Sequence, residues 1–163
     1  MVRKLEAAPV TVTGGVPPAY VALRGVAMHS LGIGTTHDMD SILTGLFIPS
    51  LTFREYTLME KVNLWRGKAR SGISVVWDKM VTTDLTQKVP ELAIPVYFFH
   101  GVYDYTCSYT LAKSYFEKRK APLKGFYTFE QSAHSPALEE PEKMQTILRT
   151  NVLVGANNLA DAK

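Results

Sequence analysis

The spacing of apolar residues along the chain changes near Pro90. Before Pro90, apolar side chains recur at intervals of three and four residues, which is typical of helices that bury one face. This pattern predicts helices from Pro17 to Ala27, from about Asp38 to Pro49 and from about Arg54 to Arg70. Residues 73–80 combine β-branched side chains with a helical face, and we predict a helix there as well.

The boundaries of these helices follow from polar residues and prolines. Asp38 or Asp40 can supply the N-cap of the second helix, because a short carboxylate side chain accepts hydrogen bonds from first-turn N–H groups. Pro49 is expected to end that helix, since proline has no N–H to donate. Cations gather in the last turns of the third helix, where the helix dipole favours them, and Gly72 then breaks it.

After Pro90 the pattern alternates between short apolar runs and amphipathic segments. We predict, in order, a strand at Ile94–Phe99, a turn at His100–Asp104 and a helix at about Ser108–Lys120. A second strand at Gly125–Glu130, a loop at Gln131–Pro136 and a helix from Pro141 to about Leu153 follow. A strand–helix–strand unit joins two parallel neighbours of one sheet, with a right-handed crossover in nearly all proteins. The sequence therefore predicts an α/β fold whose last two strands are parallel and flanked by helices.

The first of these strands is apolar on both faces, which is typical of an interior strand that helices cover on each side. Only one neighbouring strand is evident, and a two-stranded sheet would leave a long apolar edge that can recruit other chains. We therefore expect that strands are missing and that the chain is the C-terminal portion of a longer α/β protein. The alternative is a small α+β domain that self-associates by pairing its uncovered sheet edge with a second copy.

Length, composition and charge fit one folded domain. The 163 residues match a single domain, and 46% hydrophobic with 20% charged residues excludes a disordered or collagen-like chain. The net charge of +3 is not concentrated in any run, so we expect no nucleic acid partner. No segment suits a signal peptide or a membrane span, and we expect a cytoplasmic protein. The single cysteine, Cys107, excludes an internal disulfide and a zinc site built from cysteines.

Two residues with catalytic chemistry follow the two predicted strands. Asp104 comes after the first strand and His134 after the second, and open α/β sheets place functional loops at these strand ends. A carboxylate that accepts the imidazole Nδ1–H fixes the histidine tautomer and leaves Nε2 to take a proton from a nucleophile. An aspartate after a glycine turn can also be a helix cap, and a histidine in a loop can simply be solvated. Spacing alone leaves both interpretations open.

Three segments extend this pattern: Ile94-Pro95-Val96-Tyr97-Phe98-Phe99-His100-Gly101-Val102-Tyr103-Asp104, Ser132-Ala133-His134-Ser135-Pro136 and Glu139-Glu140-Pro141-Glu142. Together they resemble the final stretch of an α/β-hydrolase-fold enzyme, over residues 88 to about 150. The resemblance implies that Asp104 is the acid of a Ser-His-Asp triad and that His134 is its histidine, in the chain order of that superfamily.

Residues 1–87 are similar, less specifically, to the helical cap that proline-iminopeptidase-like members insert before the penultimate strand. The resemblance thus implies a helical cap or lid at residues 1–87 and the C-terminal βαβα part of the hydrolase core at residues 88–163. The implied activity of the complete enzyme is hydrolysis of a small ester, amide or peptide-like substrate, without a cofactor or a metal. Trp65 and Trp77 would lie on cap helices, either as core residues or above the substrate cleft.

The chain departs from this family at the nucleophile. The superfamily serine lies on a Gly-x-Ser-x-Gly turn, and these 163 residues contain no such motif. Ser30 lacks the first glycine and follows a predicted helix, so we interpret it as structural. Cys107 lies beside the acid and not across from the histidine, and we interpret it as a small core or helix-start residue rather than a nucleophile. We therefore expect the chain alone to be inactive; the alternative is a non-catalytic binding or interaction module with this fold.

The remaining candidates have ordinary explanations. Four residues form a loose group of possible metal ligands: His29, His37, Asp38 and Asp40. No second pair completes a site, so we favour helix capping for this group. His100 precedes the glycine turn and is expected to pack at the strand end. Four cations close a predicted helix, where we expect them to be solvated and to compensate the helix dipole: Lys118, Arg119, Lys120 and Lys124.

Overall fold

The computed structural model of the protein describes residues 23–24, 26–28, 30–71, 79–80 and 82–163. These residues form two compact units. The first unit contains the described residues up to Leu31 and those from Asp40 to Thr83, and the second contains Gly32–Met39 and Asp84–Lys163. No helix in the described part of the chain has the length and the apolar character needed to cross a membrane.

Two predicted helices fall partly outside the described residues. Of the helix predicted from Pro17 to Ala27, the described positions from residue 23 onward are helical. Within residues 73–80, the described positions are the last two, and both are helical. Trp77 lies outside the described residues, so its predicted role stays a prediction.

In the first unit, a π-helical turn at Leu43–Phe47 continues directly into helix α1, Ile48–Thr52. The prediction that Pro49 ends this helix is wrong, because Pro49 lies in the first turn of α1. Proline is common in the first turn of an α-helix, because its fixed φ suits the helical backbone. The helical path therefore runs through the proline and stops at Thr52.

The helical turn before α1 begins with a serine. Ser41 Oγ accepts a hydrogen bond from the N–H of Thr44 at 3.2 Å, and the two hydroxyl oxygens lie 2.9 Å apart. Ser41 thus fills the role that the sequence pattern assigned to Asp38 or Asp40, and the prediction of an aspartate cap is wrong. Serine and aspartate have similar preferences for the N-cap, so the pattern alone does not separate them.

Helix α2, Leu58–Ser71, begins later than the predicted Arg54. Its start is set by a capping box, in which the N–H of Glu60 donates to Thr57 Oγ1 at 3.3 Å and the N–H of Thr57 donates to Glu60 Oε2 at 2.8 Å. The Thr57 hydroxyl also donates to the same carboxylate at 2.7 Å. These bonds, the hydroxyl first and the backbone second, lower the pKa of Glu60.

Trp65 on α2 contacts both α1 and the π-helical turn that precedes α1. Its indole N–H donates to Ser50 Oγ at 2.8 Å, and its ring packs edge-on against Phe47 with the ring centroids 4.8 Å apart. A bonded indole N–H together with an aromatic neighbour is typical of a tryptophan in a packing interface. These contacts explain Trp65 as a packing residue within the first unit.

The second unit alternates helix and strand in the predicted order. Its elements are α3 (Leu85–Lys88), β1 (Val96–Gly101), α4 (Tyr109–Lys118), β2 (Lys124–Phe129), α5 (Pro136–Glu139), α6 (Pro141–Ile147) and a π-helical segment (Leu148–Val152). The two strands are parallel, with Val96 opposite Lys124 and Gly101 opposite Phe129. The described chain is therefore a mixed helix and strand structure with a two-stranded parallel sheet, consistent with the α/β class.

The ends of β1 differ from the predicted ones. The strand begins at Val96 rather than Ile94, because Pro95 has no N–H for the ladder whereas the N–H of Val96 donates to Leu123 O at 2.9 Å. The strand also continues through residues 100–101, which the pattern assigned to a turn and which pair with the end of β2. The turn that leads to the acid therefore starts later than predicted.

Helices cover both faces of the sheet. On one face, the rings of Phe98 and Phe126 stack with centroids 6.1 Å apart, and Phe116 of α4 packs edge-on against both. On the other face lies a buried cluster of three residues: Tyr127, Phe129 and Ile147 of α6. Successive side chains of a strand point to opposite faces, so one continuous apolar run supplies both layers. This arrangement explains why the predicted strands are apolar on both sides.

The two edges of the sheet differ. The outer edge of β2 pairs with the C-terminal segment, since the N–H of Phe126 donates to Ala162 O at 3.0 Å and the N–H of Asp161 donates to Phe126 O at 2.8 Å. The Asp161 carboxylate also accepts from the N–H of Thr128 at 2.6 Å. On the outer edge of β1, no strand from the described residues is paired. Within the described residues, the sheet edge that has no partner strand is therefore that of β1.

The prediction of four solvated cations after α4 is wrong for Arg119. Its side chain is 3% exposed, lies 4.4 Å from the ring centroid of Tyr115, and donates to Leu85 O at 3.1 Å and to Thr86 O at 2.7 Å. The guanidinium thus joins α3 to the end of α4. Lys124 behaves as expected at a helix end, because its Nζ donates to carbonyl groups at the end of α4 at 3.0–3.3 Å.

Candidate active site

The loop that carries the predicted acid begins where β1 ends. The N–H of Asp104 donates to Gly101 O at 3.2 Å, which closes a tight turn after the strand. The Asp104 side chain is 6% exposed, and its Oδ1 accepts from the N–H of Thr106 at 3.0 Å and of Cys107 at 2.9 Å. An aspartate that binds N–H groups two and three residues further on is typical of an Asx turn. These bonds orient the carboxylate and leave Oδ2 for another partner.

The loop that carries the predicted histidine begins where β2 ends, and two consecutive glutamates hold it. Glu140 Oε2 accepts from the N–H of Gln131 at 3.0 Å and from the hydroxyl of Ser132 at 2.6 Å. Glu139 Oε2 accepts from the N–H of Ala133 at 2.8 Å. Ser132 and Ala133 are both buried. The loop is therefore anchored at three successive residues, directly before the histidine.

The two predicted site residues meet in the structure. His134 Nδ1 and Asp104 Oδ2 are 2.8 Å apart, a distance typical of a charge-assisted hydrogen bond. The imidazole is 45% exposed, whereas the carboxylate is almost entirely buried. Because a carboxylate accepts, Nδ1–H is the donor, and Nε2 is the nitrogen that can take a proton from another group. This arrangement is the one that orients a histidine as a general base.

Backbone hydrogen bonds tie the two loops together. The N–H of Tyr103 donates to Ser132 O at 3.1 Å, and the N–H of Val102 donates to Phe129 O at 3.0 Å. These bonds continue the parallel pairing beyond the ends of the strands. The separation of the acid and the histidine is therefore set by the backbone and not only by their side chains.

His100 lies on the inner side of the acid loop. It is buried, and its ring stacks on Phe126 with the centroids 6.3 Å apart, as expected for a residue that packs at the strand end. Its Nδ1 lies 3.0 Å from Gly101 O and donates to this carbonyl, while Nε2 lies 3.9 Å from Asp104 Oδ2. Asp104 Oδ2 thus has nitrogen atoms of two histidines within 4 Å. The sequence pattern predicts that His100 packs at the strand end, but it does not signal that this residue also lies near the acid.

Residues 32–39, which belong to the second unit, contact both loops of the site. The ring of His37 stacks on Tyr103, which directly precedes the acid, with the centroids 3.7 Å apart and the planes inclined by 12°. The backbone N–H of His37 donates to Glu139 Oε1, so one glutamate bonds both this segment and the histidine loop. No periodicity or motif in the sequence signals these contacts, since they join residues 66 and 102 positions apart.

Cys107 lies closer to the histidine than the sequence predicts. One ligand atom from each of Asp104, Cys107 and His134 forms a group within 4.8 Å of one another. The expectation that the thiol lies only beside the acid is therefore wrong. Cys107 is also exposed, so the interpretation of it as a small core residue is wrong. Partial burial of the thiol, and then the negative charge of Asp104, raises the pKa of Cys107. A raised pKa favours the protonated thiol over the thiolate, and the prediction that Cys107 is not a nucleophile stays a prediction.

Two further candidates from the sequence are Ser30 and the group of possible metal ligands around His37. The hydroxyl of Ser30 donates to Ala27 O at 2.8 Å, a bond within the same helix that agrees with the structural interpretation of this serine. Among the described residues, His37, Asp38 and Asp40 do not form a group of three metal ligands. His29, the fourth member of that group, lies outside the described residues.

A pocket of ≈ 380 Å³ lies against the opposite face of the sheet from α4. It is lined by seven residues, none of them from the acid or histidine loop: Tyr127, Glu142, Lys143, Thr146, Ile147, Leu159 and Asp161. The Tyr127 hydroxyl is buried without a hydrogen-bond partner in the described structure, and its burial raises the pKa of this phenol. The pocket is therefore separate from the Asp104–His134 pair.

The chain is similar to a curated protein, the probable aminopeptidase YbaC of Bacillus subtilis (strain 168). The two are 31% identical over 108 residues, which make up 66% of this chain and 33% of the relative. The chain thus spans about a third of the length of the relative that it matches. No family model matches the chain, and no solved structure matches it.

Proposed function

We propose that the chain carries the acid and the histidine of a Ser-His-Asp α/β-hydrolase that acts on a small ester, amide or peptide-like substrate. The observation that carries this proposal is the 2.8 Å hydrogen bond between Asp104 and His134 at the carboxyl ends of two adjacent parallel strands. The likeness to a probable aminopeptidase supports a hydrolase and favours an amide or peptide bond as the target.

In this mechanism His134 acts first as a base and then as an acid. Nε2 takes the proton of a serine hydroxyl as its oxygen attacks the substrate carbonyl, and the imidazolium then gives that proton to the leaving group. Asp104 holds the imidazole in the required tautomer and stabilises its charged form. An amide in place of this acid lowers kcat by about 10⁴-fold in enzymes of this mechanism. The reaction needs no cofactor.

The nucleophile comes from outside these 163 residues, which contain no Gly-x-Ser-x-Gly motif. In this proposal residues 88–163 form the C-terminal part of the hydrolase core and residues 1–87 form its helical cap. The uncovered outer edge of β1 is where a further strand of the core would pair. The helices on both faces of the sheet support the same placement, since interior strands of α/β folds are covered on both sides.

The test compares the chain with a longer one. The 163-residue chain is expected to hydrolyse a nitrophenyl ester or an aminoacyl nitroanilide no faster than its His134→Ala variant. The DNA immediately upstream of the Met1 codon is then read for an in-frame Gly-x-Ser-x-Gly, and the extended chain is expected to hydrolyse the substrate in a manner that His134→Ala abolishes. Turnover by the short chain that depends on His134, or an upstream frame without the motif, contradicts the proposal.

The uncovered β1 edge also supports a second candidate, a non-catalytic interaction module that docks a partner strand there. This alternative predicts concentration-dependent self-association in size-exclusion chromatography and binding of a dye that reports exposed apolar surface. It also predicts that an extended chain, if one exists, shows no turnover that depends on His134. A compact monomer that binds no dye counts against both the module and an uncovered edge.

A further inference from the structure

Three side chains with the donor atoms of a metal site meet at the ends of the two strands. A thiol sulfur, a carboxylate oxygen and an imidazole nitrogen, from Cys107, Asp104 and His134, lie within 4.8 Å of one another. Zinc binds all three donor types, at about 2.3 Å from sulfur and about 2.0–2.2 Å from nitrogen and oxygen. Tetrahedral bonds of these lengths place the donors about 3.3–3.6 Å apart. The most distant donors need to close by little more than an ångström, whereas His134 Nδ1 and Asp104 Oδ2, which are 2.8 Å apart, need to separate by about half an ångström.

The surroundings of these donors are already arranged for a ligand. Asp104 Oδ1 is occupied by the N–H groups of Thr106 and Cys107, which leaves Oδ2 facing the imidazole. The N–H of Ala133 donates to the Glu139 carboxylate, and this bond holds the loop that carries the histidine. Such outer bonds orient metal ligands in known sites. Cys107 itself is exposed, so its sulfur can rotate and an ion can reach it from solvent.

We propose that Asp104, Cys107 and His134 bind a thiophilic divalent cation of the zinc class, which replaces the proton between His134 Nδ1 and Asp104 Oδ2. The Cys107 thiol gives its proton to solvent as the metal–sulfur bond forms. The proton of Nδ1 leaves that nitrogen, and Nε2 carries the proton of the neutral ring. Three protein ligands leave a fourth position for water.

Binding at this site blocks the acid–base pair, because the metal takes the carboxylate and leaves Nε2 protonated. This inhibitory consequence rests on the proposed hydrolase function, whereas the binding itself does not. One cysteine and one histidine separated by about thirty positions do not form a zinc motif in the sequence. The proposed site therefore follows from the fold alone.

The test is a titration of the untagged, reduced chain with Co²⁺, which reports a sulfur ligand by an intense near-ultraviolet charge-transfer absorption. The wild-type chain is expected to develop this absorption with one equivalent of Co²⁺ and to lose it when Zn²⁺ is added. Cys107→Ser is expected to abolish the absorption. His134→Ala is expected to weaken Zn²⁺ binding at least tenfold, measured by competition with a chromophoric chelator.

Glu142→Ala is the matched control, since it removes an exposed carboxylate that belongs to neither the acid loop nor the histidine loop, and it is expected to bind Zn²⁺ like the wild type. Circular dichroism of each variant shows whether it is folded. Absence of the charge-transfer absorption in the wild type, or its persistence in Cys107→Ser, overturns the proposal. Neither result bears on the hydrolase function, which is tested separately by turnover of the extended chain in the presence of a chelator.

Discussion

The carbonyl oxygen of Ser132 occupies the space where a side chain on Gly101 would lie. A Cβ built on Gly101 falls 2.1 Å from this oxygen and 2.2 Å from Ala133 O, far inside any normal contact. The glycine that ends β1 therefore lets the histidine loop lie directly on the strand. This contact brings the acid and the histidine within hydrogen-bond distance, and it explains why the turn toward Asp104 begins with glycine.

Gly101→Ala is accordingly expected to lower the free energy of unfolding by about 3 kcal/mol, the upper part of the range for an overpacked site, because the obstructing atoms are backbone. Urea unfolding measures this change. Gly67→Ala is the control, since a Cβ on this α2 residue meets nothing within 4 Å. The control is expected to raise stability by about 0.5–1 kcal/mol, as alanine does in a helix interior. Similar effects of the two substitutions would contradict the packing argument.

Glu139→Ala is expected to loosen two distant segments together. Glu139 accepts from the N–H of Ala133 and from the N–H of His37, so its loss exposes both amides. Their hydrogen exchange is expected to accelerate about tenfold or more, the equivalent of losing a hydrogen bond to a charged group. Glu142→Ala, which removes an exposed carboxylate from the first turn of α6, should leave both rates unchanged. Unequal responses of the two amides would show that Glu139 does not link these segments.

Arg119→Ala is expected to destabilise the second unit by about 2–3 kcal/mol, because the carbonyl groups of Leu85 and Thr86 lose a charged donor and Tyr115 loses a packing partner. Thermal unfolding checks the prediction. Lys120→Ala, at an exposed neighbouring cation, is expected to change stability by less than about 0.5 kcal/mol. Equal small effects would mean that Arg119 is as well solvated as the sequence suggests.

The capping box of α2 predicts a pH dependence. The pKa of Glu60 is lowered in the folded chain, so its contribution to helix stability is present above the pKa of an unfolded glutamate and is lost as the pH falls through the lowered pKa. An NMR titration of the Glu60 carboxyl is expected to show the low pKa. Thr57→Ala should return it to the ordinary value, whereas Thr57→Ser should keep it low. An identical titration in Thr57→Ala would exclude the hydroxyl as the cause.

Much of the fold is readable from the chain because its signals are local. The apolar runs around Phe98 and Phe126 and the amphipathic segment between them predict the parallel strand pair, and Pro141 marks the first turn of α6. The boundaries depend on hydrogen bonds to distant residues and are less readable. Pro49 lies inside a helical path, and the end of β1 pairs with β2 instead of turning.

The proximity of Asp104 and His134 can be predicted from the sequence for a similar reason. Asp104 and His134 each follow a strand, and neighbouring parallel strands bring their ends together. The groups that hold them in place have no comparable signal. Glu139, His37 and Cys107 contact the site through loops whose course depends on packing, so the sequence pattern assigns them only generic roles.

The most direct test of the account is the protonation pattern of the His134 ring in the metal-free chain, measured by nitrogen-15 NMR in the presence of a chelator. The account predicts that neutral His134 carries its proton on Nδ1, bonded to Asp104, and that Asp104→Asn removes this preference. A ring that carries its proton on Nε2, or the same pattern in wild type and Asp104→Asn, would contradict the claim that this carboxylate orients a general base.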